Sequence, residues 1–289
     1  MDQVCHPSLL SKAATLTPVQ FLLKGKVAVV TGGCRGLGFA FAEALAGAGA
    51  SIAILDVGSP DEALEELRSK YSAKFEFYHT NVTDREQVES TVQKIEKDFG
   101  SVDININAAG VVTDESFLTS SDKNLNSTFD VNFKGSFLVA QACANAMVRK
   151  LGPSGKPAAG KETSNGCIVF IASVATHIGT AVQNISVYTA SKAAVRGLVK
   201  PMAMELAQYG IRVNSLSPGP MQTAMYAKVA KENPGFAHQM NKETMFGRAG
   251  YPEELKGCVL FLCSQASSWY TGQDLLVDGG ASSWKHLAA

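Results

Sequence analysis

The sequence predicts an α/β protein: a Rossmann-type doubly wound parallel sheet of about seven strands flanked by helices, in a single domain. Three observations support this prediction. Short, continuous apolar runs, such as residues 26–31, are typical of strands that are buried on both faces. Segments such as residues 85–99, whose apolar residues recur about every 3.6 positions, are typical of helices that cover a sheet. The two kinds of segment alternate along nearly all of the 289 residues, as helical crossovers between parallel strands require.

The strands are predicted from their short apolar or β-branched runs. The first is KVAVVT at residues 26–31. Each later run is separated from its neighbour by a helical stretch or by a loop rich in glycine and polar residues. These later strands are expected at residues 51–55, 75–80, 102–107, 167–172, 212–216 and 273–277.

The helices have signals of their own. Small residues dominate 39–48, and residues 85–99 follow Thr83 and Asp84, two residue types suited to cap a helix N-terminus. Residues 121–150 are apolar on several faces, around Phe129, Phe133 and Phe137. The remaining helices are expected at residues 61–71, 187–208 and 253–263.

Two stretches depart from this alternation. Residues 151–166 are rich in Gly, Pro, Ser and Lys, which predicts an exposed insertion loop. Residues 221–250 carry short helical patches just before the last predicted helix. We therefore divide the chain into a leader at 1–24 and one domain at 25–289 that contains both stretches.

Composition excludes several classes of protein. Lys and Arg together number 26 and so do Asp and Glu, so no basic excess favours a nucleic-acid partner. No apolar run reaches the ~18–20 residues that a membrane-spanning helix needs. Residues 1–20 lack the basic and apolar regions of a secretion signal. The six cysteines show neither a CxxC pair nor a metal-ligand spacing, which favours reduced thiols, no metal site and a cytoplasmic location.

A glycine-rich segment, TGGCRGLG at residues 31–38, lies between the first predicted strand and helix. Glycines there let the backbone approach a pyrophosphate, which rests on the helix N-terminus. Alone, the segment also fits an ordinary tight turn. Asp56 follows Gly38 by 18 residues, at the end of the second strand, where a carboxylate can accept hydrogen bonds from an adenosine ribose. Alone, Asp56 also fits a helix or turn cap. Together they predict dinucleotide binding through Gly32, Arg35, Gly36, Leu37, Gly38 and Asp56.

The choice of dinucleotide depends on two opposite charges. The Asp56 carboxylate repels the 2′-phosphate of NADP, whereas Arg35 attracts it. A close like-charge contact outweighs one exposed cation, so we predict NAD, with NADP as the alternative.

Tyr188 and Lys192 are the candidates for acid–base chemistry. Their spacing of four residues places both side chains on one face of a helix. A free tyrosine has a pKa of about 10, and a lysine cation within ~4–6 Å lowers it. Tyr188 is therefore a candidate general acid/base for an alcohol or carbonyl oxygen. By itself, the same pair also fits a solvated helix face.

Two further polar residues favour a catalytic interpretation. Ser173 ends the fifth predicted strand, at the carboxyl edge of the sheet where ligands of such folds bind. Its hydroxyl would hold the substrate oxygen beside Tyr188, although a turn cap is the alternative. Asn132 lies in an apolar run of the long helix, and its amide is expected to be satisfied by neighbouring backbone whether or not it takes part in catalysis.

At this point the sequence resembles the short-chain dehydrogenase/reductase family from about Gly25 to Gly280. The resemblance rests on an ordered set of motifs: Thr31-x3-Gly36-x-Gly38, Asn107-Ala108-Ala109-Gly110, Asn132, Ser173, Tyr188-x3-Lys192, Pro218-Gly219 and Asp278-Gly279-Gly280. It implies hydride transfer between a nicotinamide and a secondary alcohol or ketone. Tyr188 would be the acid/base, Lys192 would activate it and bind ribose, Ser173 would stabilise the substrate oxygen, and Asn132 would support a proton relay.

The resemblance also implies the rest of the cofactor contacts and the assembly. Asn107, Ala108 and Gly110 would line the adenosine side, together with Asn81 and Val82. Pro218, Met221 and Thr223 would hold the carboxamide. Residues 221–250 would form a substrate lid, and helices 121–150 and 187–208 would pair copies of the chain into a homo-oligomer, a dimer or tetramer.

The sequence departs from the family pattern in places that bear on the substrate. Ala108 stands where the family usually has a second Asn, and Asn81 stands where it commonly has an Asp. Ser173 and Tyr188 are 15 residues apart, about two more than usual, so the intervening loop with Thr176, His177 and Gln183 is expected to be reshaped. We expect His177 to be a polar pocket or surface residue.

Local similarity near the C-terminus, TGQDLLVDGG at residues 271–280, resembles fungal polyol dehydrogenases that act on arabinitol, mannitol or sorbose. A small-molecule polyol or ketose is therefore the expected substrate. The alternatives are a ketoreductase of a fungal secondary-metabolite pathway, an enzyme that uses its nicotinamide for epimerisation or dehydration, and a non-catalytic cofactor-binding protein.

Overall fold

Seven parallel strands form the centre of the molecule, in the order β3-β2-β1-β4-β5-β6-β7. The computed structural model describes residues 18–59, 62–158, 165–232 and 235–284. The strands are β1 (Val27–Thr31), β2 (Ser51–Asp56), β3 (Phe75–His79), β4 (Ile104–Asn107), β5 (Gly166–Ile171), β6 (Ile211–Pro218) and β7 (Asp274–Val277). The fold predicted from the sequence is confirmed.

The order of the strands indicates where along the sheet a ligand would bind. The chain moves outward from β1 through β2 to β3 and then crosses back to β4 on the other side of β1. The last residues of the two central strands, Thr31 and Asn107, are paired side by side. Ligands of open α/β sheets bind at such a reversal, outside the carboxyl ends of the strands.

Helices cover both faces of the sheet. They are α1 (Gly36–Gly47), α2 (Glu62–Lys70), α3 (Arg85–Phe99), α4 (Asp122–Phe129), α5 (Ser136–Arg149), α6 (Ser186–Leu206), α7 (Ala224–Glu232), α8 (Phe236–Lys242) and α9 (Lys256–Cys263).

Alternate strand residues supply two apolar cores. Val30 and Ile106 pack with Phe41 of α1 and Val259 of α9 on one face. Val29, Phe170 and their neighbours pack with α3, α5 and α6 on the other. Because both faces are covered, the strands are continuously apolar, and each fully buried Leu, Ile or Phe side chain contributes about 1.5–3 kcal/mol.

Among the differences from the sequence-based expectation, three bear on the site. Helix α1 begins at Gly36, three residues before the predicted start, so the glycine segment itself forms its first turn. Strand β6 continues to Pro218. The long helix predicted at 121–150 contains a π-helical segment, Asp130–Gly135, between α4 and α5. Apolar periodicity does not reveal such a segment, because one inserted residue changes the helical phase only locally.

A residue near the end of the predicted leader and one near the end of the predicted insertion loop are both buried in the structure. Leu23, which we assigned to the leader, is buried, and its N–H donates to the carbonyl of Ala48. Asn165, at the end of the predicted insertion loop, is also buried and donates to Met147 O. The remaining leader residues 1–17 and loop residues 159–164 lie outside the described part of the chain.

Residues 221–250 contain α7 and α8. Helical patches were predicted around residues 233–235, and residues 233 and 234 lie outside the described part of the chain. Within the described residues, no helix has both the length and the apolar character required to cross a bilayer.

Candidate active site

Glycine shapes the turn between β1 and α1. Gly32 and Gly36 have φ angles of +65° and +58°, a left-handed conformation that residues with a Cβ rarely adopt. A Cβ on Gly38 would lie 2.2 Å from the carbonyl oxygen of Gly32, so glycine alone permits this approach of α1 to the loop. Leu37, between the last two glycines, packs against the core. The predicted glycine positions thus form one compact turn.

The N-terminus of α1 has no side-chain cap. Arg35 occupies the N-cap position with extended backbone, and its side chain makes no hydrogen bond to the helix N–H groups. The first N–H groups of the helix therefore remain for an external acceptor, and the helix dipole favours a negatively charged one. This arrangement suits a pyrophosphate.

Asp56 lies beside the same turn. Its Oδ2 accepts a hydrogen bond of 3.1 Å from Cys34 N, and its Oδ1 accepts one of 2.9 Å from Gly58 N. The contact with Gly58 is the turn cap that we considered as an alternative role. The two roles are compatible, because a carboxylate has about four acceptor sites and two remain for ribose hydroxyls. Arg35 is exposed in the neighbouring turn.

A second polar group supports the loop after β4. Thr31 Oγ1 accepts hydrogen bonds from Ala108 N at 3.1 Å and Ala109 N at 3.0 Å. Asn107 is buried, and its Nδ2 donates to Asn105 Oδ1 at 2.7 Å. Its Oδ1 has no hydrogen-bond partner among the described residues. Asn107 is therefore held mainly from inside the sheet, while Ala108 faces the glycine turn.

Gly110 connects this loop to the catalytic side chains. A Cβ at Gly110 would lie 3.3 Å from both Asn132 Oδ1 and Lys192 Nζ. A side chain at this position would require both polar groups to shift by a few tenths of an ångström, because the loop passes directly over them.

Asn81 and Val82, which we predict to line the adenosine side, follow strand β3. Asn81 Oδ1 accepts from both Thr83 N and Thr83 Oγ1 at 3.0 Å, so its carbonyl stabilises the turn before α3 and its amide nitrogen remains as a donor. Val82 is buried, and a Cβ on Gly135 would clash with its side chain at 2.6 Å. Val82 thus packs against the π-helical segment.

On the side of the sheet away from β3, the chain leaves β6 at Pro218 and borders the carboxyl edge of the strands. Met221 pairs with Gly250, whose N–H donates to Pro220 O at 2.9 Å. Thr223 Oγ1 accepts from Tyr226 N at 3.2 Å and caps α7. The residues that we predict to hold the carboxamide, Pro218, Met221 and Thr223, therefore lie between the end of β6 and the start of α7.

Ser173 and Tyr188 meet above the end of β5. Ser173 Oγ accepts a hydrogen bond from Ala175 N at 3.2 Å, and the Ser173 hydroxyl lies beside the Tyr188 phenol. Burial raises the pKa of the Tyr188 phenol above its usual value, and the neighbouring Ser173 hydroxyl offsets part of this rise. The structure therefore brings together the predicted oxygen-holding and proton-exchanging groups.

Lys192 lies one helical turn beyond Tyr188 and is buried. Its Nζ donates to Ile171 O at 2.7 Å and lies 5.9 Å from the centre of the Tyr188 ring. Burial lowers the pKa of Lys192 to about 8. We expected Lys192 to lower the pKa of Tyr188; in this structure desolvation prevails and the phenol pKa is raised.

Asn132 lies in the π-helical segment and is fully buried. Its Oδ1 accepts from Val111 N at 2.8 Å, and its Nδ2 donates to Val111 O and to Ser191 Oγ, both at 2.9 Å. Ser191 in turn donates to Tyr188 O at 2.7 Å. The side chain of Asn132 thus connects the loop after β4 to the helix that carries Tyr188.

Sequence reasoning missed the supporting residues Thr31, Asn105 and Ser191. Ser191 immediately precedes Lys192, and its small polar side chain on the buried side of a helix was the available signal. Asn105 is a polar residue two positions before Asn107 in an apolar strand, which could have suggested a buried amide pair.

Together these features fit a nicotinamide dinucleotide. The glycine turn and the uncapped helix match a pyrophosphate, Asp56 matches a ribose, and the crevice ends at Ser173 and Tyr188.

Comparison with known families agrees with this arrangement. The sequence profile of a family described as enoyl-(acyl carrier protein) reductase matches residues 32–282. A probable NADP-dependent mannitol dehydrogenase of Yarrowia lipolytica is 35% identical over 277 residues, covering 95% of this chain and 94% of the relative. A sorbose reductase of Candida albicans is 37% identical over 264 residues, covering 90% and 88%.

Another relative, an NAD-dependent glycerol dehydrogenase of Listeria innocua, is 35% identical over 261 residues and covers 90% of this chain and 95% of its own. Among solved structures, a short-chain type dehydrogenase/reductase from Mycobacterium marinum aligns with a TM-score of 0.82 at 35% identity. It covers 91% of this chain and 98% of its own.

Proposed function

The chain belongs to the short-chain dehydrogenase/reductase family, and from this premise we propose that it interconverts a secondary alcohol and a ketone with a nicotinamide cofactor. The observation that carries the proposal is the Ser173 hydroxyl beside the Tyr188 phenol, with the buried Lys192 one helical turn further along the same helix and its Nζ 5.9 Å from the centre of the Tyr188 ring. These groups lie at the carboxyl edge of the sheet, at one end of the crevice that begins at the glycine turn.

Each catalytic side chain has a separate task. Ser173 Oγ donates a hydrogen bond to the substrate oxygen and holds it beside Tyr188. Tyr188 Oη gives its proton to that oxygen in the reducing direction and takes it back in the oxidising direction. The nicotinamide, when bound, supplies or accepts the hydride. Because the pKa of Tyr188 is raised in this structure, its protonated form is the resting state, which suits ketone reduction.

Lys192 and Asn132 support this proton transfer. The Lys192 ammonium lies 5.9 Å from the centre of the Tyr188 ring, and on cofactor binding it would turn from Ile171 O toward a ribose hydroxyl. Asn132 holds the loop at Val111 and, through Ser191, the backbone of Tyr188. It acts here as a positioning residue.

For the cofactor we favour NAD over NADP. The support is the Asp56 carboxylate, which the turn holds at two backbone N–H groups and which would face a 2′-phosphate as a like charge. Relatives named for each cofactor are similar to this chain, so the names do not separate the two.

For the substrate we favour a neutral polyol or its ketose. Similarity to a mannitol dehydrogenase and a sorbose reductase over nearly the whole chain supports this class. Thr180 Oγ1, in the loop after Ser173, donates to Glu243 Oε1 at 2.9 Å, just after helix α8. A carboxylate between loop and lid disfavours anionic substrates such as keto acids and can accept bonds from sugar hydroxyls.

The experiment is a turnover assay at 340 nm, with NADH and NADPH tested separately. The substrates are sorbose, fructose, 5-ketogluconate and a bulky aryl ketone. We expect turnover of sorbose or fructose with NADH. Activity on the bulky ketone alone would favour the secondary-metabolite ketoreductase. Cofactor binding without turnover of any substrate would contradict an oxidoreductase acting on these classes.

We also propose a homo-oligomer, a dimer or tetramer, that acts in the cytoplasm. Leu125 of α4 and Met204 of α6 are exposed by 44% and 76%, which supports association through these helices. Light scattering coupled to gel filtration tests it: a monomer at micromolar concentration would contradict the proposal. The cytoplasmic location remains a prediction.

A further inference from the structure

A polar cluster lies between α6 and the β6–β7 edge of the sheet. It consists of Thr176, His177, Arg196 and Asp274, with Ser215 and Ser217 beneath them. Three of these residues are close in sequence to catalytic groups. Thr176 and His177 come shortly after Ser173, and Arg196 follows Lys192 by one helical turn. None of the residues in this cluster takes part in the proposed proton and hydride transfer.

Arg196 holds the turn that begins at Ser173. Its Nη1 donates to both Thr176 O and Thr176 Oγ1, each at 3.0 Å. Thr176 Oγ1 donates to Ser173 O at 2.9 Å, and Thr176 N donates to the same carbonyl at 3.0 Å. A continuous set of hydrogen bonds therefore runs from the Arg196 guanidinium to the backbone of Ser173.

Arg196 and the catalytic Tyr188 lie on the same helix, α6. Tyr188, Lys192 and Arg196 are spaced by four residues on one continuous helix, so Arg196 lies about 12 Å along the axis from Tyr188. The Ser173 hydroxyl thus lies beside Tyr188, while the Ser173 backbone is linked through Thr176 to Arg196 of the same helix. A displacement of Ser173 relative to Tyr188 therefore stretches or breaks the hydrogen bonds through Thr176.

His177 and Asp274 fix the other side of the turn. Asp274 accepts hydrogen bonds from Ser215 Oγ at 2.6 Å and from Ser217 Oγ at 2.9 Å. His177 Nε2 lies 2.7 Å from Asp274 Oδ2 and must donate there, because a carboxylate has only acceptors. The proton on Nε2 then excludes a hydrogen bond from Arg196, whose Nη1 is 3.1 Å away. The productive contacts of Arg196 are therefore those with Thr176.

We propose that Arg196 is a positioning residue for the reaction, which acts through Thr176 to hold the Ser173 hydroxyl beside the Tyr188 phenol. The inference rests on the proposed function and adds to it a residue that never touches the substrate. His177 and Asp274 anchor the same turn to the sheet, so His177 is a structural residue of the loop and not a substrate contact.

The test is a mutant cycle measured in the full-length enzyme. The variants are Arg196→Met, Arg196→Lys and Ser173→Ala, with Arg196→Met also made in the Ser173→Ala background. Turnover is measured with the best substrate of the panel above, cofactor affinity by NADH fluorescence, and Tm by calorimetry. Arg85→Met is the matched control, since Arg85 is exposed and paired with Glu89 on a different face of the protein.

Arg196→Met is expected to lower kcat about 10- to 100-fold, since a small misplacement at the reacting centre has effects of this size. NADH affinity should stay within about twofold, and Arg196→Lys should recover most of the loss. In the Ser173→Ala background, Arg196→Met should have almost no further effect, because the group that Arg196 positions is gone. A purely structural role would lower activity by the same factor in both backgrounds.

Thr176→Val gives a second route if Arg196→Met fails to fold. It removes the hydroxyl between Arg196 and Ser173 and should lower kcat about 3- to 10-fold, again only when Ser173 is present. Additive losses, or unchanged kcat in Arg196→Met and Thr176→Val, would overturn the inference. Inactivity of the wild-type enzyme on the whole panel would instead count against the proposed function.

Discussion

The amide nitrogen of Asn132 donates a 2.9 Å hydrogen bond to the hydroxyl of Ser191, and this bond joins the π-helical segment to the helix that carries Tyr188. Both residues are fully buried. The bond therefore links the loop after β4 to the catalytic helix through the protein interior, where an unpaired amide costs about 1–3 kcal/mol.

Replacing Ser191 by Ala should destabilise the protein and impair catalysis only moderately. The change leaves one Asn132 N–H and the extra acceptor position at Tyr188 O without a partner. We expect a loss of about 1–2 kcal/mol in the free energy of unfolding, measured by urea denaturation, and a fall in kcat of less than about tenfold. The control is Ser90→Ala on the exposed face of α3, which should alter neither quantity. A loss of kcat as large as that of Tyr188→Phe would mean that Ser191 takes part in proton transfer.

Asp56 is predicted to select against NADP. Asp56→Ala removes the negative charge that would face a 2′-phosphate in the proposed complex and should raise the ratio of NADPH to NADH efficiency by about tenfold or more. Asp56→Asn is the matched variant, because it keeps the size of the side chain and an acceptor for Cys34 N. Efficiency ratios that stay unchanged in both variants would contradict the role of the charge.

Gly38 is predicted to accept no side chain. Its Cβ would lie 2.2 Å from Gly32 O, a backbone atom that cannot move without opening the glycine turn. Gly38→Ala should lower the free energy of unfolding by about 1–3 kcal/mol and abolish detectable NADH binding in a fluorescence titration. Gly257→Ala is the control within α9, where a Cβ meets nothing within 4 Å. It should be neutral or slightly stabilising, because alanine favours a helix.

The buried ammonium of Lys192 is predicted to lower the free energy of unfolding, although turnover requires this residue. Burial lowers its pKa from 10.5 to about 8, so the folded state binds this proton less tightly than the unfolded state does. The resulting penalty is complete below about pH 8 and disappears as pH rises toward 10.5. Lys192→Met removes it but leaves Ile171 O without its donor. We therefore expect a net gain of about 1–2 kcal/mol at pH 7 that shrinks above about pH 8, together with loss of turnover. A variant that is less stable than wild type at pH 7 would contradict this assignment.

The sequence was sufficient for the fold because the strands of a covered parallel sheet are continuously apolar and the helices between them are periodic. It was also sufficient to identify Ser173, Tyr188 and Lys192 as a group, because all three follow from strand ends and helical spacing. The roles of Thr31 and Ser191 could not be predicted, since their hydrogen-bond partners are distant in sequence.

The contact between Arg196 and Thr176 could not be predicted from the sequence, because these residues are also distant along the chain. Arg196 is of a residue type usually found on a solvated helix face, and only the folding of the turn after Ser173 onto α6 gives it these partners. The direction of the Tyr188 pKa shift depends on burial, which helical spacing with Lys192 does not report.

The most direct test of the central claim is the Tyr188→Phe variant, assayed for turnover at 340 nm and for NADH binding by fluorescence. The change removes the proton-exchanging oxygen and keeps the ring. The account predicts unaltered NADH affinity, within about twofold, and a fall in kcat of about 10²–10⁴-fold. A Tyr188→Phe enzyme that retains near wild-type turnover would show that another group exchanges the proton, and would contradict the mechanism.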